Sequence, residues 1–250
     1  MKYLLTAIWT TVCIGVLAYS HIHWNQQTAA KSVVEPIPTY ETSEEDYTEY
    51  LELASNWPNE AKEQLKLALE AKTPFKILFV GSTAMEWEKN VTQQLTQSFG
   101  NDKITTALHT YDITTEDFIA VNKQLELASE QAQLIVLEPF LLNDNGKLKI
   151  DVTLANVTKI IEDIRNENPE TTFILQPSYP IHLPKYYATQ VEALKTYAAE
   201  NSLTYLDHWA AWPATDHPEI KNYLNEDQSG PNEQGYQAWS EFLVEYFVKK

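Results

Sequence analysis

From Phe75 onward the sequence alternates between short apolar runs and helical patterns, and this alternation leaves the chain few folds to choose from. The first run, Phe75-Lys76-Ile77-Leu78-Phe79-Val80, is bounded by Pro74 and Gly81, is rich in aromatic and β-branched residues, and precedes a helical pattern. Those are the marks of a buried strand in a βαβ unit. Further runs at Lys103–His109, Leu134–Leu137, Thr172–Leu175 and Leu203–Leu206 are separated by patterns such as Leu154, Val157, Ile161 and Ile164, whose spacing makes one buried helical stripe. Ala61, Leu65, Ala68 and Leu69 after Pro58 predict a helix ahead of the first strand, and Trp239, Phe242, Leu243, Tyr246 and Phe247 after Pro231 predict a closing one. Parallel crossovers are right-handed and put helices on both faces of a sheet. The fold class predicted is therefore α/β: a three-layer α/β/α sandwich with a five-stranded parallel sheet, over about residues 47–250.

The N-terminal segment reads differently. Lys2 precedes an apolar stretch from Tyr3 to Tyr19 that extends to Trp24 if His21 and His23 are interfacial. A spanning helix needs about 20 residues for a ~30 Å hydrocarbon core. Ala18-Tyr19-Ser20 is a poor small-x-small cleavage site, and no glycine or alanine precedes Cys13 as lipoprotein processing requires. Residues 1–24 are read as an uncleaved membrane anchor, with Lys2 on the cytoplasmic side and the rest of the chain outside. Residues 25–46, with Pro36, Pro38 and Glu44-Glu45-Asp46, are too polar to bury a core and read as a stalk. The expected location is the cell membrane, single-pass, with residues 47–250 as an extracytoplasmic domain.

Charge narrows the partners. Eighteen Lys and Arg against 35 Asp and Glu give a formal charge of −17, a field that repels polyphosphates, so no nucleic acid is expected. The single cysteine, Cys13, cannot form an intramolecular disulfide. The sequence holds no G-x-S-x-G elbow, no G-x-x-x-x-G-K-[ST] loop, no H-E-x-x-H and no cysteine pair, so neither a cofactor nor a metal is expected.

Three stretches fall where a parallel sheet would bring them to one edge. Gly81-Ser82-Thr83 follows the first strand; it is either a strand-to-helix turn with a hydroxyl cap or a pair of hydroxyls facing a substrate. Asn143-Asp144-Asn145-Gly146, soon after the third strand, is ordinary turn chemistry when it stands alone. The third, Asp227-Gln228-Ser229-Gly230-Pro231-Asn232-Glu233-Gln234-Gly235-Tyr236, precedes the last helix.

In this order and at these places the three stretches resemble the blocks of the SGNH/GDSL hydrolase family, over roughly Pro74 to the end. That family has G-D-S after strand one, G-x-N-D after strand three and D-x-x-H-P-N-x-x-G-Y before its last helix. The Pro231-Asn232-x-x-Gly235-Tyr236 part is the most specific match. The resemblance implies a flavodoxin-like sheet and an ester hydrolase, with Ser82 or Thr83 as nucleophile, Asn143 as oxyanion donor and Asp227 as acid partner. Thr83 stands in the nucleophile position, Ser82 in the preceding acidic one, and Gly230 in that of the histidine. No glycine near Tyr111-Asp112-Ile113-Thr114 matches the family's second block. Removing the histidine of a serine-protease triad costs about a millionfold in kcat, about 8 kcal/mol. His208, after strand five, is either a substitute base or a residue packed under the final loop.

Two functions follow. One is an esterase acting on a small-molecule or carbohydrate ester of the cell envelope; the other is an inactive relative that binds a glycan or a partner protein in the same pocket. Activity on simple esters is expected to be very weak or absent.

Overall fold

A computed structural model describes residues 47–249. The predicted anchor and stalk, residues 1–46, lie outside the described residues. In order the elements are α1 (Thr48–Leu53), α2 (Asn59–Ala71), β1 (Phe75–Gly81), α3 (Glu88–Phe99), β2 (Ile104–Thr110), α4 (Thr115–Ala120), α5 (Lys123–Ser129), β3 (Leu134–Leu137), α6 (Leu141–Asp144), α7 (Ile150–Glu167), β4 (Thr172–Leu175), α8 (Lys185–Glu200), β5 (Thr204–Tyr205), 3₁₀ turns at His208–Ala211 and Pro218–Tyr223, and α9 (Glu233–Phe247).

The five strands run parallel in the order β2-β1-β3-β4-β5. Successive side chains of a strand point to opposite faces, and here the two faces are both apolar. Phe75, Ile77 and Phe79 of β1, Leu134 and Val136 of β3, and Ile174 of β4 join one core with Leu65 and Leu69 of α2, Val91 and Leu95 of α3, and Trp239 and Leu243 of α9. Leu78 and Val80, Ile135 and Leu137, and Phe173 and Leu175 join a second with Phe118, Val157, Ile161, Ile164 and Leu194 from α4, α7 and α8. The predicted three-layer sandwich is thus the observed one. Each such side chain contributes about 1.5–3 kcal/mol on burial.

This strand order fixes where a site can lie. From β1 the chain crosses to β2 on one side and then returns to β3 on the other, so the carboxyl ends of β1 and β3 flank a topological switch point. Crossovers depart in opposite directions there and leave a crevice.

Candidate active site at the sheet's carboxyl edge

The carboxyl ends of β1 and β3 are joined through Glu138, the residue after β3. Its amide donates to the carbonyl of Val80 at 2.8 Å, extending the ladder one residue past the strand. Its buried side chain then lies across the end of β1, where Oε2 accepts the Ser82 amide at 2.6 Å. A Cβ at Gly81 would stand 2.8 Å from the Glu138 Cβ and 2.9 Å from Oε2. Gly81 does not have a positive φ, so glycine is needed there for the room it leaves Glu138 and the Met85 sulfur, which would stand 2.6 Å from such a Cβ. Phe140 holds the turn beyond Glu138 in the left-handed region (φ 56°), a strained conformation for a bulky residue. Its ring is packed 5.1 Å from that of Phe118.

Burial, above all, raises the Glu138 carboxyl above its ordinary value, partly offset by the Ser82 hydroxyl and by the Ser82 and Phe140 amides, with Asp144 adding to the rise. Sequence reasoning passed over Glu138. The available signal was an acid set directly against the end of a fully apolar four-residue strand.

Ser82 is 7% exposed and its hydroxyl, beside the carboxyl, makes no aligned hydrogen bond; Thr83 is exposed. The hydroxyl brought to the acid is therefore that of Ser82. Asn143, on α6, is half-buried and gives one amide hydrogen to Asp112 Oδ1 at 2.8 Å. Its neighbour Asp144 is the buried member of that block, accepting from the Thr115 amide (2.8 Å), the Thr115 hydroxyl (2.6 Å) and the Thr153 hydroxyl (2.7 Å). Asp144 thus pins α4 and α7 to α6.

His208 is fully buried and cannot serve as the substitute base. Nδ1 accepts the Trp212 indole N–H at 3.2 Å, so Nε2 carries the proton and donates to the Pro177 carbonyl at 2.9 Å. The ring stacks on Trp239 at 4.0 Å and 8°. Burial pulls its pKa down from 6.5 to about 3. The ring is thus packed inside, against Trp239 of α9 and Trp212.

Asp227 is exposed and caps its own turn, accepting from the Ser229 amide at 3.0 Å and hydroxyl at 2.6 Å, which hold its carboxyl below the usual value. Nothing among the described residues gives it an imidazole to orient. Its loop closes through the Leu224–Pro231 bridge and is tied to the end of β4 by the Tyr179 hydroxyl, which donates to the Ser229 carbonyl at 2.7 Å. The rest of that block is architecture: the Asn232 side chain accepts the Gly235 amide at 3.2 Å as the cap of α9, and a Cβ at Gly235 would meet the Trp212 ring at 2.8 Å.

Further buried polar side chains line the same edge after β4 and along α8: Gln176, Ser178 and Tyr187. Burial and the proximity of Glu138 push Tyr179 up to about 12 and Tyr187 well above its ordinary value. Glu138, Tyr179, Tyr187 and His208 are all shifted toward their neutral forms. The five residues singled out from sequence follow or approach the carboxyl side of the sheet, yet no hydrogen bond joins Thr83, Asn143, Asp227 or His208 to Ser82 among the described residues. A hollow of about 490 Å³ between α3 and α9, lined by Asn90, Gln94 and Glu241, lies on a helix face away from this edge.

No family model and no curated protein matches this sequence. Solved structures do match it. A GDSL-like lipase from Parabacteroides merdae superposes with a TM-score of 0.59 at 11% identity, over 70% of this chain and 96% of its own. An acetylxylan esterase from Geobacillus stearothermophilus gives 0.58 at 13%, over 70% and 94%. A carbohydrate esterase of family 3 from Talaromyces cellulolyticus gives 0.58 at 14%, over 68% and 94%. With its five-stranded parallel sheet between helical layers, the chain has the fold of the SGNH/GDSL hydrolases.

Proposed function

We propose that this is a membrane-anchored, extracytoplasmic protein whose strand-edge site takes a neutral acyl ester of a polar alcohol, of the carbohydrate class, and hydrolyses it slowly through Ser82. One observation carries the reading: at the switch point the Ser82 amide donates to the buried Glu138 carboxyl at 2.6 Å, with the Ser82 hydroxyl beside that carboxyl, and Tyr179 and Tyr187 stand near enough for Glu138 to raise both. A hydroxyl backed by buried groups held toward their neutral forms suits uncharged hydroxyls and esters better than ions. Structural neighbours named for acetylxylan and carbohydrate esters support the same class. Anchoring rests on the apolar stretch Tyr3–Trp24; among the described residues no helix is long and apolar enough to cross a membrane.

A second reading, binding without turnover, is favoured by Gly230 and by the sealed His208. Hydrolysis of an aryl acetate by the full chain in detergent separates the two. Slow turnover, lost in Ser82→Ala and retained in Thr83→Ala, is the outcome expected. No turnover above the Ser82→Ala background, with retained binding of acetylated oligosaccharides, would leave the second reading.

A further inference from the structure

We propose that Glu138 is the proton acceptor for Ser82, so that a serine–glutamate couple at the switch point does the work an imidazole does elsewhere in this fold. The inference rests on the hydrolytic reading above and assigns the base which that reading lacks. Three features of the structure carry it. The carboxyl is brought to Ser82 by backbone and side chain at once, through Glu138 N to Val80 O at 2.8 Å and Ser82 N to Oε2 at 2.6 Å. Gly81 leaves the space the carboxyl occupies. Finally, the Ser82 hydroxyl lies beside the carboxyl, and neither it nor Glu138 Oε1, both buried, has an aligned hydrogen-bond partner. A buried polar atom without a partner costs about 1–3 kcal/mol, and catalytic pairs are often misaligned until substrate is bound.

The chemistry balances without any further group. As the Ser82 oxygen bonds to the acyl carbon, its proton passes to the Glu138 carboxylate. The ester C–O bond then breaks, and the leaving alkoxide takes that proton, giving alcohol and acyl-Ser82. Water attacks the acyl carbon, again yielding its proton to Glu138, and the proton returns to the Ser82 oxygen as the acid departs. The Ser82 and Phe140 amides and the Ser82 hydroxyl favour the ionised carboxyl; burial and Asp144 on α6 oppose it, and Tyr179 and Tyr187 face it from the β4 side. The carboxyl therefore ionises at a higher pH than an exposed one, which makes it the stronger base once ionised.

The test uses the full chain in detergent with p-nitrophenyl acetate, following acetyl addition to Ser82 by mass spectrometry of intact and digested protein across pH. The expected wild-type rate rises about tenfold per pH unit on an acid limb and then levels off. Glu138→Gln, which keeps an oxygen to accept the Ser82 amide, should slow acetylation about 100-fold or more and abolish the limb, with an unchanged or raised melting temperature at neutral pH. Equal rates in wild type and Glu138→Gln, or an acid limb that survives the substitution, would overturn the couple and leave the hydrolytic reading standing. No acetyl on wild-type Ser82 at any pH would overturn both.

Discussion

Replacing His208 by phenylalanine should remove a large part of this domain's sensitivity to mild acid. The ring is fully buried, and its folded pKa of about 3 lies below the unfolded 6.5. Between those values the unfolded chain binds a proton that the folded one refuses, so stability rises with pH across the window and is lost as pH falls through it. One unit is worth about 1.4 kcal/mol, so His208 alone should remove about 2 kcal/mol between about pH 7 and about pH 5. Phenylalanine keeps a ring against Trp239 but leaves the Pro177 carbonyl and the Trp212 N–H without partners. The variant should therefore be less stable at neutral pH and yet lose about 2 kcal/mol less on acidification. Urea unfolding of both proteins at the two pH values measures the difference, in which every other titrating group common to the two cancels. Equal losses in wild type and variant would mean that His208 is reached by protons in the folded state, and the sealed reading would fall.

Gly81→Ala should cost about 1–3 kcal/mol in a thermal melt, because its Cβ meets the Glu138 Cβ at 2.8 Å; a neutral substitution would show that the carboxyl does not lie across β1. Gly230→His should fold normally, since only Asn225 Nδ2, at 3.4 Å, approaches a Cβ there, and it should raise aryl acetate hydrolysis by about tenfold or more; an unchanged rate would show that the missing imidazole does not limit turnover. Deleting residues 1–24 should move the protein from the membrane pellet to the soluble fraction; a full-length protein that is already soluble, with a mature start near His21, would refute the anchor.

The fold was legible because its strands are short, wholly apolar and bounded by turn residues. β3 and β4 fall on the predicted residues, and β2 is displaced by one. β5 shrinks from the predicted Leu203–Leu206 to Thr204–Tyr205, because beyond it the chain turns into the 3₁₀ segment that buries His208. The site was legible only as a place. Glu138 meets Ser82 because Val80 pairs with Leu137, a register that no local pattern encodes. The state of His208 is decided by Trp212 one turn away and by Trp239 on another element. In Asn143-Asp144 the sequence pointed to Asn143, while the buried acceptor is Asp144; burial separates those neighbours and composition does not.

The residues that carried the family resemblance and the residues that can carry chemistry are, in this molecule, largely different. Asn232 caps α9, Gly235 lets that helix approach Trp212 and Tyr223, and Gly81 makes room at the end of β1, so each is dictated by backbone geometry that the fold needs whatever reaction it serves. Such positions can persist when the imidazole does not, and a match confined to them reports the fold. Chemistry depends on contacts across the sheet. Asp227 is a surface cap, His208 is neutral inside an aromatic stack, and the Glu138 carboxyl beside Ser82 is buried and shifted toward its acid form. The chain as a whole carries a formal charge of −17. The net negative charge disfavours anionic ligands, so on the proposed function an uncharged ester is the expected substrate rather than a phosphorylated or carboxylated one.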